Sequence, residues 1–111
     1  MITIHFSYDP EFFLLSLRVN GHAGQAEEGH DLVCASASIL AYTLASMVKQ
    51  YEARMVEKPY IKLESGDSEI TCRPEPKHFS RILRYYETAK EGYRLLAANY
   101  PEYVSYTDVM G

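Results

Sequence analysis

Two side chains that can perform nucleophilic catalysis, His22 and Cys34, lie twelve positions apart in the sequence. A cysteine becomes a strong nucleophile once an adjacent base takes its proton, and an imidazole can then return that proton to a leaving group. Asp31 is a favourable N-cap residue followed by an apolar helical pattern, which predicts a helix whose first turn holds Cys34. The free N–H groups and positive dipole end of a helix start favour a thiolate. The pattern therefore indicates a thiol–imidazole pair suited to attack on a carbonyl.

Residue types alone leave plainer interpretations open. A lone cysteine in a helix is usually a small core residue, and a lone histidine usually lies at the surface or makes a hydrogen bond. A metal site formed by His22, His30 and Cys34 is a further alternative, because three ligands leave an open, catalytic-type position. A helix that starts at Asp31 would exclude His30 and argues against that site. We therefore expect neither a metal nor a cofactor.

The residues around His22 and Cys34 extend the pattern. Gly21-His22-Ala23 is followed, after a short loop, by Gly29, Asp31, Leu32, Val33, Cys34, Ala35 and Ser38. The two blocks and the length between them resemble the signature of the ribosomal-processing cysteine proteases, the Prp family. That signature reads Gly-His-Ala and then Gly-x-Asp-Ile-Val-Cys-Ala-x-x-Ser. Leu32 replaces the usual Ile, and Ala37 stands where Val is common; neither change removes a reactive group.

The resemblance implies an activity and its substrate. It implies a cysteine endopeptidase with Cys34 as nucleophile and His22 as its acid–base partner. The family removes a short N-terminal extension from the large-subunit ribosomal protein number twenty-seven by cutting after an aromatic residue. The partner is then the N-terminal peptide of that ribosomal protein, and the protease is a homodimer.

Supporting roles follow for residues near the pair. We expect Asp31 to cap the helix and Ser38 to help position the site, since it lies one turn beyond Cys34 on the same helix face. Gly21 and Gly29 belong to a loop through His30 that the resemblance favours as a substrate-binding lid over a plain surface connection. A non-enzymatic ribosome-assembly or interaction module remains the main rival, and it predicts that Cys34→Ala leaves function intact.

Composition narrows the function further. The chain of 111 residues has the length of one domain and carries a net charge of −4 with ten tyrosines. It has no basic block, which argues against direct nucleic-acid binding. No apolar run approaches the roughly 20 residues of a membrane span, and the N-terminus does not resemble a signal peptide. Two cysteines do not form a disulfide framework, so the cytoplasm is the expected compartment.

Hydrophobic periodicity predicts the elements. Two strands, at about 2–8 and 13–19, alternate apolar and polar residues and form a hairpin. A small-residue helix runs from Asp31 to about Glu52 and is expected to be central and buried on several sides. A second hairpin joins Lys58–Glu64 to Ser68–Arg73, with Cys72 as an inert core thiol. A second helix spans about Lys77–Asn99.

The predicted elements combine into one fold class. The tail contains a short alternating piece, residues 103–106, that can add an edge strand. The sequence therefore predicts a single α+β domain over residues 1–111, a two-layer ββαββα arrangement. In it, a small and mostly antiparallel sheet carries two helices.

Overall fold

A computed structural model describes residues 1–22 and 28–110, except the side chains of residues 28–31 and 109–110. It forms two layers, a five-stranded sheet and two helices. The elements in chain order are β1 Ile2–Asp9, β2 Leu14–Gly21, α1 Glu28–Gln50, β3 Tyr60–Glu64, β4 Asp67–Cys72, α2 Phe79–Asn99 and β5 Val104–Met110. Short 3₁₀ turns at Glu52–Arg54 and Pro76–His78 precede β3 and α2. The predicted α+β class is confirmed.

The strand order is β3-β4-β2-β1-β5. β1 and β2 form the predicted hairpin, and β4 pairs antiparallel with both β2 and β3. The C-terminal strand β5 lies at the other edge, parallel to β1, so the predicted edge strand is confirmed and is longer than the pattern indicated. This order places the turn between β3 and β4 beside the end of β2.

The two faces of the sheet differ in polarity, as the alternation predicts. Its buried face carries apolar side chains from the three inner strands: Ile2, Ile4, Phe6, Leu15, Leu17, Val19, Ile70 and Cys72. The opposite face carries polar residues such as Ser16 and Thr71, whose hydroxyls share a hydrogen bond of 2.8 Å, and Arg18, which pairs with Glu69 at 3.2 Å. Both helices therefore cover one side of the sheet.

The predicted second helix is present as α2, and one apolar stripe of it is buried. Its buried residues are Phe79, Ile82, Tyr86, Ala89, Tyr93 and Leu96. Two of these are tyrosines whose hydroxyl groups find acceptors inside the protein. Tyr86 donates to the Ile70 carbonyl at 2.8 Å, and Tyr93 donates to the Ala37 carbonyl of α1 at 2.7 Å. These bonds tie α2 to the sheet and to α1.

The predicted start of α1 is wrong. The helix begins at Glu28, so Asp31 is its fourth residue and does not occupy the N-cap, and Gly29 lies in the first turn rather than in a loop. Acidic residue types are favoured both at the cap and within the first turn. The type of Asp31 alone therefore does not separate the two positions. Cys34 becomes the seventh helical residue, in the second turn.

The helix α1 is buried on one side rather than on several. Its buried residues are Val33, Ala37, Ala41, Leu44, Ala45 and Val48. Large apolar side chains on its other side are exposed, among them Leu32, Ile39 and Tyr42. The stretch Leu32–Gln50, 19 residues, is long and apolar enough to cross a membrane, so the prediction that no apolar run approaches that length is wrong. In the fold, this stretch packs its small residues against the sheet.

Candidate active site

A small cavity of about 80 Å³ lies where the end of β2, the second and third turns of α1 and the β3–β4 turn meet. His22 and Cys34 both line it, and Ser38 lines it one helical turn further along. The structure therefore places these three predicted site residues on the wall of one cavity. Ala37 and Ala41 continue the α1 wall, and their small side chains leave the space open.

The main chain holds His22 from two sides. Its carbonyl accepts a hydrogen bond from the Met1 nitrogen at 2.6 Å, which continues the β1–β2 pairing beyond Ile2 and Gly21. On the other side, the Gly21 N–H donates to the Gly66 carbonyl at 2.9 Å. Gly21 is thus the last residue of β2, held within the sheet, rather than part of a free loop.

Gly21 suits this position for two reasons. Its φ of +92° lies in the region that side-chain-bearing residues rarely adopt. A β-carbon on it would also lie 2.3 Å from the Met1 carbonyl oxygen. Any other residue here would move β1, β2 or the His22 that follows.

Cys34 is a free, half-buried thiol in the second turn of α1. The free N–H groups of a helix belong to its first four residues, which here are residues 28–31. The N–H of Cys34 is therefore engaged within the helix and does not offer the oxyanion contact that a first-turn position would have given. The dipole effect also falls off beyond the first turn, so the helix start lowers the pKa of this thiol less than a first-turn position would.

The imidazole of His22 is exposed and lies against Gly66. Although His22 and Cys34 share the cavity, no hydrogen bond joins them within the part of the chain that the structure describes. Catalytic hydrogen bonds are often long before substrate binds and shorten in the productive complex. The thiol and the imidazole therefore line one cavity without a hydrogen bond between them.

The β3–β4 turn carries the charges at the cavity. Asp67 accepts hydrogen bonds from Lys62 at 2.5 Å and from the Asn20 amide at 3.0 Å. The hydrogen bond from Lys62 lowers the pKa of the Asp67 carboxyl, and Asp67 in turn raises the pKa of Lys62. Glu64, by contrast, makes a longer contact of 3.9 Å with Lys62. Its side chain is 69% exposed, so its carboxylate faces solvent at the edge of the cavity.

The cavity size limits what it can hold. A cavity of about 150 Å³ is needed to enclose a benzene ring, and this cavity has about half that volume.

Several sequence predictions fall on residues 23–27 or on undescribed side chains. The lid predicted for the loop lies mainly in residues 23–27, outside the described part of the chain. The earlier start of α1 also removes the argument against His30 as a ligand of the alternative metal site, because positions 30 and 34 are one turn apart on the same helix. Among the described residues, no three His, Cys, Asp or Glu side chains are grouped to hold a metal ion.

Sequence reasoning missed the contribution of the β3–β4 turn. Glu64, Ser65, Gly66, Asp67 and Ser68 all line the cavity, although the sequence indicated only a hairpin connection. No local signal places this turn beside His22, because their proximity comes from the pairing of β4 with β2.

The fold resembles solved structures along nearly the whole chain. One is SMU.848 from Streptococcus mutans, 25% identical, with a TM-score of 0.73 over 100% of this chain and 96% of that one. Two others are the ribosomal processing protease Prp from S. aureus with a substrate peptide and with a covalently linked product peptide. They are 20% and 21% identical, with TM-scores of 0.71 and 0.70 over 97% of this chain and 99% of each of theirs.

The sequence itself assigns the family. No curated protein sequence matches the chain significantly. The family model described as cysteine protease Prp, however, matches residues 1–105 of the 111. That match includes β1 to β4, both helices and every residue of the cavity. The chain therefore belongs to the Prp family of cysteine proteases.

Proposed function

We propose that Cys34 and His22 form the catalytic dyad of an endopeptidase that matures a ribosomal protein. The observation that carries the proposal is their shared cavity, in a chain that belongs to a cysteine protease family. Cys34 is the free thiol that lines the cavity, whereas the other cysteine is buried in the core. His22 supplies the imidazole that lines the same cavity.

The reaction proceeds in two halves. His22 takes the Cys34 proton, and the thiolate sulfur attacks the scissile carbonyl carbon. The tetrahedral intermediate collapses as the imidazolium gives its proton to the leaving amine, which leaves a thioester on Cys34. Water then attacks the thioester carbonyl, His22 accepts the proton of that water, and the sulfur leaves and regains the proton. Ser38 stands close enough along α1 to help orient the peptide at this cavity.

The proposed substrate is the N-terminal extension of the large-subunit ribosomal protein number twenty-seven. Support comes from the family, and from the similar S. aureus protease, which is described as ribosomal-processing and was solved with a substrate peptide. The acidic character of the chain suits a basic ribosomal protein as partner. We place the reaction in the cytoplasm, where free thiols such as both cysteines of this chain persist.

A cleavage assay tests the activity and the dyad together. A peptide carrying the extended N-terminus of the host ribosomal protein is incubated with wild type, Cys34→Ala and His22→Ala, and the products are weighed by mass spectrometry. We expect a single cut by the wild type after an aromatic residue and none by either variant. Cleavage that survives in Cys34→Ala would refute the dyad. Binding of the peptide without any cut by folded, reduced wild type would favour the non-enzymatic module.

We further propose that the chain is a homodimer that uses the exposed apolar side of α1. Leu32, Ile39 and Tyr42 are 59%, 60% and 50% exposed on this side of the helix. Together they expose more contiguous apolar surface than a monomer usually leaves in water. The partner proposed for this surface is the same surface of a second copy, as expected for a two-fold interface.

Light scattering coupled to size exclusion tests the dimer. We expect wild type at twice the chain mass and Ile39→Glu at the mass of one chain. Val56→Glu is the matched control, because Val56 is 51% exposed but lies beyond the C-terminal end of α1. A monomeric wild type, or equal dissociation by both variants, would overturn this interface.

A further inference from the structure

The β3–β4 turn lies directly against the end of β2 that carries His22. Asn20 is the register partner of Asp67, and the Gly21 N–H donates to the Gly66 carbonyl at 2.9 Å. The Asn20 amide adds a side-chain bond of 3.0 Å to Asp67. The position of the turn relative to the His22 main chain is therefore fixed by both backbone and side-chain bonds.

The ring of His22 rests on the one residue of this turn that has no side chain. A β-carbon on Gly66 would lie 2.4 Å from Nε2, 2.7 Å from Cε1 and 3.2 Å from Cδ2 of that imidazole. Distances below 3.0 Å between such atoms do not occur without a shift. Any residue other than glycine would therefore displace the ring, because the turn itself is tied to β2.

Gly66 also has a φ of +74°, and a tight turn alone can explain a glycine there. The ring contact is a second and independent demand on the same position. The first demand concerns the stability of the turn, and the second concerns the placement of an imidazole that shares a cavity with Cys34. A variant that tolerates the positive φ but carries a β-carbon beside the ring separates the two demands.

We propose that Gly66 is a positioning residue for His22, providing a surface without a side chain against which the imidazole lies in the cavity that it shares with Cys34. This inference rests on the proposed role of His22 in the dyad. A β-carbon at Gly66 would overlap the ring, so the imidazole would have to move, and its position relative to Cys34 would change. A displacement of about 1 Å at a catalytic group can cost about a hundred-fold in rate.

Two substitutions test the proposal. Gly66→Ala introduces the β-carbon and strains the backbone, whereas Gly66→Asn introduces the same β-carbon with a residue that tolerates positive φ more readily. We expect both variants to lower kcat/KM for the ribosomal-protein peptide about a hundred-fold, with Ala lowering the unfolding temperature more than Asn.

The ring itself gives a readout that does not require cleavage. We expect NMR spectra of the full chain with labelled histidine to show that both Gly66 variants shift the His22 ring resonances, while those of His5 and His78 stay in place. Unchanged His22 resonances would overturn the proposal, as would wild-type kcat/KM in Gly66→Asn. Shifted resonances in a protein whose wild type cuts no peptide would refute the proposed function and leave the ring contact established.

Discussion

The two cysteines of this chain lie in opposite environments. Cys34 is half-buried on the wall of a cavity that it shares with an imidazole. Cys72 is 3% exposed at the end of β4, beneath α2, where Tyr86 donates a hydrogen bond of 3.5 Å to its sulfur. Burial raises the pKa of the Cys72 thiol to about 11. The same functional group is therefore available for chemistry at one position and held protonated at the other.

The difference arises from the elements that carry the two residues. Cys72 lies on the apolar face of an inner strand, among side chains that exclude water. Cys34 lies on α1 where small neighbours and the β3–β4 turn leave a gap in the packing. Cys34 is a candidate nucleophile because incomplete packing leaves its thiol accessible and the imidazole of His22 lines the same cavity.

The largest effect that separates the two cysteines is on peptide cleavage. We expect Cys34→Ala to lower kcat by at least about 10⁴-fold, as removal of a nucleophile does, and Cys72→Ala to keep cleavage within a few-fold of wild type. Cleavage of the ribosomal-protein peptide is followed by mass spectrometry on protein shown to be folded by circular dichroism. Loss of cleavage in Cys72→Ala at wild-type stability would break the contrast.

Chemical modification should show the same contrast without a substrate. We expect iodoacetamide at about pH 7 to label Cys34 about a hundred-fold faster than Cys72, because a buried, protonated thiol neither meets the reagent nor reacts with it. Peptide mapping by mass spectrometry reports each site. In denaturant the two rates should converge, and equal rates in the native protein would contradict the assignment of Cys72 to the core.

The contribution of the buried Tyr86 hydroxyl to the stability of the core around Cys72 can be measured. Tyr86→Phe removes the hydroxyl that donates to the Ile70 carbonyl at 2.8 Å and lies 3.5 Å from the Cys72 sulfur. We expect a loss of about 1–2 kcal/mol in the free energy of unfolding, measured by urea denaturation. Tyr60→Phe is the matched control, since the Tyr60 side chain is 53% exposed on an edge strand and should change stability by less than about 0.5 kcal/mol. A neutral Tyr86→Phe would show that this hydrogen bond adds nothing to the core.

The periodic elements of this fold were predictable because their signal is local. The α2 stripe repeats every three or four residues from Phe79 to Leu96, and each strand of the first hairpin alternates cleanly. The start of α1 was not predictable in the same way, because Asp31 suits a cap and a first turn equally. The correction matters for mechanism, since it moves Cys34 away from the free N–H groups of the helix start.

The candidate site was predictable only in part, because half of it is assembled by distant pairing. His22 and Cys34 stand out by residue type and by the motif around them, and the structure places both at one cavity. Gly66 lies more than forty positions from His22 and reaches it only because β4 pairs with β2. A glycine in a tight turn carries no signal in the sequence that an imidazole lies against it.

The smallest effect expected to separate the two thiols appears at alkaline pH. The Cys72 thiol keeps its proton in the folded state to about pH 11, whereas an unfolded thiol loses it near pH 9. The folded state therefore binds more protons in this range, so stability is fully present below about pH 9 and falls as pH rises, by at most about 1.4 kcal/mol per pH unit. Burial also raises the pKa of Tyr86, and unfolded tyrosines begin to ionise below about pH 10. The tyrosines therefore add to the fall between about pH 9 and 10, and only a comparison with and without Cys72 isolates the contribution of the thiol.

Urea denaturation across that window tests the expectation in a Cys34→Ala background, where Cys72 is the sole thiol. Adding Cys72→Ala should make the fall in the free energy of unfolding between about pH 9 and 10 shallower, while lowering stability by about 1 kcal/mol at neutral pH through the lost packing. An identical slope with and without Cys72 would mean that its thiol ionises as readily in the fold as in water. In that case the contrast between the two cysteines would rest on the position of His22 alone.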